Sequence, residues 1–128
     1  LTNDIISQAD GIDMTVLTGE VVTKAQSSLK AFAIYLESGK AILFTAEIVG
    51  GAVKVAMAVK PAPDVPEQSE AVCSVDWSWI YGRQVKGVAA SPRGDYFKLD
   101  LGSGLVITIS CGMWQGDGFL SFMPYKPV

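Results

Sequence analysis

Asp76-Trp77-Ser78-Trp79-Ile80-Tyr81-Gly82 has the look of a tryptophan-rich binding motif, yet its pattern occurs twice in the chain. Asp13-Met14-Thr15-Val16-Leu17-Thr18-Gly19, 63 positions earlier, runs through the same series: acid, large apolar residue, hydroxyl, apolar residue, branched aliphatic, any residue, glycine. Each stretch reads as one or two turns of helix. The aspartate or the hydroxyl accepts from free backbone N–H groups at the start, and the glycine takes the left-handed conformation that ends the turn. The echo predicts a chain built twice, with copies over 12–61 and 75–127.

Downstream of each opening segment the sequence alternates with a period of two, the signature of half-buried strands. In the first copy, Val21 to Gln26 is followed by Phe32, Ile34 and Leu36 on one face, then by Ile42, Phe44, Ala46 and Ile48, then by Val53, Val55, Met57 and Val59. Ser38-Gly39 and Gly50-Gly51 supply the turns between them. The second copy retraces this order. Gln84 to Ala90 leads to Phe97, Leu99 and Leu101, then to Leu105, Ile107, Ile109 and Cys111, then to Phe119 to Met123. Its turns are 91–95, Gly102-Ser103-Gly104 and Gln115-Gly116-Asp117-Gly118. The offset grows from 63 at the opening segments to 65 at Phe32/Phe97 and 66 at Lys60-Pro61/Lys126-Pro127, and each increase falls in a turn. Turns tolerate insertions, whereas one extra residue in a strand would reverse its faces.

The fold expected is mainly β: two pseudo-repeated four-strand antiparallel meanders forming a sandwich or a partly closed barrel. Short helical turns stand at the N-terminus and before each meander. At the N-terminus, Thr2 or Asn3 caps a helix through Ile5, Ile6 and Ala9. An α+β roll is the alternative. Residues 1–128 make a single domain, and the proline-rich linker 62–74 is a solvent-exposed connection within it.

Composition narrows the function. The chain has 49% apolar and 18% charged residues, a net charge of −3, and no apolar run of membrane-spanning length. A soluble protein is expected, with no membrane partner. Its ten lysines and arginines are scattered, which argues against nucleic acid. There is no histidine, so serine and cysteine triads are excluded, and neither a metal site nor a cofactor is expected. Cys73 and Cys111 read as reduced, buried thiols of a cytoplasmic protein, with a disulfide between them as the alternative. Because the chain begins at Leu1, a removed export signal is also compatible.

Nine of the twelve aromatic residues fall in the second copy, including all three tryptophans. Trp114 and Tyr125 have no aromatic counterpart in the first copy; Trp114 corresponds to Val49. A tryptophan near a glycine-rich hairpin tip serves as a contact anchor or folds back over the end of the sheet. The sequence therefore favours a non-catalytic binding or protein-interaction module, recognising a protein partner or a second copy of itself. The candidate contact residues are Trp114, Tyr125 and Trp79, with Gln115 and Asp117 beside them. The alternative is a carrier with a small apolar ligand in a pocket between the two copies. An enzyme using carboxylates or Cys111 ranks last, and no catalytic residue is assigned.

Overall fold

A computed structural model describes residues 17–65 and 75–124 together with the backbone of 5–7, and among these the eight alternating runs and one further segment form nine strands. In chain order they are β1 (Ile5–Ser7), β2 (Val22–Ser27), β3 (Ala31–Leu36), β4 (Lys40–Val49), β5 (Ala52–Pro61), β6 (Gly87–Ala90), β7 (Tyr96–Asp100), β8 (Val106–Trp114) and β9 (Asp117–Met123). Strands β2 to β5 form one antiparallel meander and β6 to β9 a second. The sheets lie face to face as a sandwich, not a closed barrel and not an α+β roll. The predicted faces point inward, except at Ile48, which is exposed near the hairpin tip: Phe32, Ile34, Ile42, Phe44, Val55 and Met57 from the first sheet meet Phe97, Leu99, Ile107 and Ile109 from the second, where Leu120 of β9 joins them.

Three segments differ from the sequence reading. The predicted N-terminal helix is replaced at Ile5–Ser7 by strand β1, which pairs antiparallel with Ala56–Ala58 of β5. An open sheet edge offers a row of free backbone groups, and this outweighs the weak tendency of a short segment to coil. The start of the linker is partly exposed and partly anchored: Ala62–Asp64 forms a single turn of 3-10 helix with Pro63 and Asp64 exposed, while Val65 packs on Ala33 and Ala41 on the outer face of the first sheet. Small alanines there leave room for it. Third, β8 continues past Cys111, where the alternation predicts its end, to Trp114, and β9 starts at Asp117, so the predicted turn 115–118 shrinks to Gln115-Gly116.

The opening segment of the second half behaves as its residues dictate. Asp76 Oδ1 accepts hydrogen bonds from the Ser78 backbone N–H (2.9 Å) and hydroxyl (2.6 Å), Ser78–Ile80 is a 3-10 turn, and Gly82 has φ +86°. The equivalent reading of Asp13 to Val16 lies outside the described residues.

The halves are joined by backbone hydrogen bonds that come in matched pairs. Gly19 N–H donates to Val85 O (2.7 Å) and Gly82 N–H to Val22 O (2.7 Å); Val22 N–H donates to Arg83 O (2.9 Å) and Val85 N–H to Glu20 O (2.7 Å). In every case the two bonds exchange residues 63 positions apart, around the antiparallel bridge Val21–Gln84. At the other end of the sandwich Leu120 N–H donates to Leu29 O (2.7 Å) and Val55 N–H to Gly94 O (2.9 Å), a pair related by 65 positions.

The shared core is centred on rings. Phe32 stacks on Trp77 with centroids 4.6 Å apart and meets Phe122 at 4.9 Å, while Phe44 meets Phe97 edge-on at 5.5 Å. Trp77 is buried, and its indole N–H donates to the Ser27 hydroxyl at 2.9 Å, itself buried. Sealing an indole N–H in the core is tolerable only with such an acceptor. Ser27→Ala should therefore destabilise the fold by about 1–3 kcal/mol, measured as a lower midpoint in urea at unchanged slope.

Candidate functional site

Trp114, the most exposed large apolar side chain among the described residues, stands at the tip of the β8–β9 hairpin. Gln115 (φ 51°) and Gly116 (φ 84°) form the two-residue turn, both with the positive φ that a tight primed turn requires. Trp114 and Asp117 are the strand pair that closes it. Strand β7 ends its pairing at Tyr96–Ser110, so residues beyond Ser110 in β8 have β9 as their neighbour and overhang the rest of the sheet. The β4–β5 hairpin overhangs in the same way past Ala31–Thr45.

The two overhanging hairpins pack against each other, and Gly118 makes this possible: a Cβ there would stand 3.1 Å from Val53 Cγ2 and 3.4 Å from Ala46 Cβ. On the outer side, loop 28–30 leans on β9 through the Leu29–Leu120 hydrogen bond. Between loop and hairpin lies an open groove of about 400 Å³ lined by Leu29, Lys30, Trp114, Asp117, Gly118 and Phe119. Trp114 is 69% exposed, so it does not fold back over the sheet. Lys30 Nζ stands 3.7 Å from Asp117 Oδ1, with both side chains mostly exposed.

Of the residues singled out from sequence, Trp114 and Asp117 come together in this groove, and Gln115 forms the adjoining turn. Trp79 lies elsewhere. It is half-buried and stacks on Trp77 at 6.0 Å, within the shared core. Tyr125 lies outside the described residues. Leu29, Lys30 and Phe119 went unrecognised because only folding places loop 28–30 beside β9; the Leu29-Lys30 pair carries no local signal of such a contact.

Two other places were candidates for chemistry. Cys111 is a free thiol, half-buried on the inward side of β8, with its Sγ 3.3 Å from Asp95 O and 3.6 Å from Val53 O. Burial, and then the nearby Asp95 carboxylate, push its pKa up, the opposite of what activates a nucleophile. Asp95 accepts from the Ser91 hydroxyl at 2.7 Å, which holds its carboxyl below the usual carboxylate range, and Ser91 Oγ in turn accepts from the backbone N–H groups of Asp95 and Tyr96. These bonds lock turn 91–95. A second, polar hollow of about 370 Å³ is lined by Thr18, Gly19, Glu20, Val21, Glu37 and Ser38. Among the described residues no group of three or more acids or thiols is placed to hold a metal ion, and no helix is long and apolar enough to cross a membrane.

Compared with protein-family models, curated proteins and solved structures, the chain gives no match.

The groove owes its shape to Gly112, the strand partner of Phe119. A Cβ on Gly112 would stand 2.5 Å from Phe119 Cζ, so the ring lies back over a strand position with no side chain. Gly112→Ala should displace the Phe119 ring and narrow the groove with little change in stability, seen as shifted aromatic NMR signals at an unaltered Tm. Truncating the tryptophans should separate their roles. Trp114→Ala should change stability by no more than about 0.5 kcal/mol, and Trp77→Ala should cost about 3–5 kcal/mol, both read from urea unfolding. The indole N–H of Trp79 is sealed from solvent with no acceptor among the described residues. Trp79→Phe should therefore be neutral or stabilising by up to about 1 kcal/mol, again in urea.

Proposed function

We propose that the protein is a non-catalytic binding module and that its contact surface is the groove between loop 28–30 and the β8–β9 hairpin. The observation that carries this reading is Trp114, 69% exposed on the wall of a groove that also contains Leu29 and Phe119. A large ring held on a hairpin loses little conformational freedom on binding, which makes exposed tryptophans efficient anchors. Exposed Ile48, Val49 and Met113 on the neighbouring hairpin tips extend the apolar character of this end. A protein partner fits such a surface, and a second copy of this chain is one such partner.

The reading of the chain as two copies, 12–61 and 75–127, is part of this proposal. It is supported by the matched hydrogen bonds at offsets of 63 and 65. Core residues match as well: Leu17 with Ile80, Val22 with Val85, Phe32 with Phe97, Ile42 with Ile107 and Val55 with Leu120 are all buried. On this reading one half kept the structural role of its hairpin, and the other turned its hairpin into a contact site.

The carrier alternative needs space between the copies, where Phe32, Phe44, Phe97 and Trp77 are in ring-to-ring contact. The enzyme alternative is weakened by the raised pKa of Cys111.

A photo-crosslinking amino acid placed at position 114, in cells of the source, tests the proposal, with position 81 as the exposed aromatic control. An adduct specific to 114 is expected, and its mass distinguishes a partner from a second copy. Equal labelling at both positions, or none at 114, would refute it.

A further inference from the structure

The contact groove has a counterpart within the molecule. Its lining residues Leu29, Lys30, Trp114, Asp117, Gly118 and Phe119 correspond, at an offset of 65, to Gly94, Asp95, Val49, Ala52, Val53 and Lys54. The two sets are held alike. The Leu29 and Gly94 carbonyls accept from Leu120 and Val55. The strand pairs Trp114–Asp117 and Gly112–Phe119 repeat Val49–Ala52 and Glu47–Lys54.

At the counterpart position a lysine crosses from strand to loop: Lys54 Nζ donates to Arg93 O at 2.6 Å. The contact groove has no such crossing side chain from its own strand. Phe119 stands where Lys54 would, and it lies back over Gly112. What remains beside it is the open groove, lined by Trp114, Phe119 and Leu29 together with the oppositely charged Lys30 and Asp117.

We propose that this groove is a socket for a lysine side chain presented by a partner protein. The inference rests on the contact surface described above and adds the chemistry of its occupant. The methylene stem lies along the apolar walls and the ammonium reaches Asp117. Ring faces attract a cation through their quadrupole, and a carboxylate adds a full opposite charge. Lys30 already brings an ammonium to the Asp117 carboxylate. At 3.7 Å, with the side chains 65% and 78% exposed, that pair is loose, and loose exposed pairs exchange readily. A partner's lysine displaces Lys30 toward solvent.

The test is a titration of the intact chain with N-acetyl-lysine methylamide and with its uncharged isostere N-acetyl-norleucine methylamide, followed at the indole N–H NMR signal of Trp114. The lysine compound should shift this signal saturably and bind about three- to fivefold tighter than the isostere. Asp117→Asn should bring the two compounds level. Lys30→Gln should tighten the lysine compound by about two- to threefold. Norleucine binding as tightly as lysine, or an Asp117→Asn variant that still prefers lysine, overturns the assignment of the occupant and leaves the contact surface standing. Failure of both compounds to shift Trp114 at their solubility limit also overturns it. The crosslink at position 114 then decides the contact surface independently.

Discussion

The architecture depends on the four hydrogen bonds exchanged between residues 19–22 and 82–85 around the Val21–Gln84 bridge. Two opening segments that would each end in unsatisfied backbone groups satisfy one another. The exchange places the start of each meander against the other, and a two-stranded crossing of this kind leaves the inner faces opposed. A lone four-strand meander of about 50 residues would expose one apolar face and two edges; joined in this way, the two share one interior.

At the far end the same arrangement produces the site. Strands β4, β5, β8 and β9 run past their shorter neighbours, so two hairpins stand clear and lean together over Gly118. Each is braced by a loop of the opposite half, through Leu29 or Gly94. On the side of Gly94 the brace is polar and closed: Lys54 reaches Arg93 O, and Ser91 and Asp95 bond each other. On the side of Leu29 a phenylalanine, Phe119, replaces Lys54, and Leu29 and Trp114 stand where Gly94 and Val49 stand in the other half. With no side chain at Gly112, the Phe119 ring has a place to lie that leaves the space beside it open. A groove thus follows from differences at a few positions within one shared framework.

The aromatic excess of the second half divides between interior and surface. Trp77, Phe97 and Phe122 fill the core against Phe32 and Phe44, and Trp79 stacks behind Trp77. Trp114 and Phe119 line the groove. The partner of Trp77 Nε1 is Ser27, fifty residues away in the other half, so even the buried tryptophan joins the two sheets.

The sequence alone determined the strands, their inward faces and the meander order, because a period of two and glycine-marked turns are local properties of the chain. It also determined that Asp76 to Gly82 is a structural turn, since its capping aspartate and final glycine act within seven residues. It singled out Trp114 and Tyr125 for want of an aromatic counterpart, which needs only an internal comparison. Tertiary structure alone decided the rest. Strand β1 forms because β5 has a free edge, the linker begins by packing on alanines that share no sequence neighbourhood with it, and Trp79 turns toward the core. The groove itself was not legible because it joins loop 28–30 to residues 114–119: its shape comes from backbone contacts between distant segments and from the volume missing at Gly112, and neither is written in the local pattern of the chain.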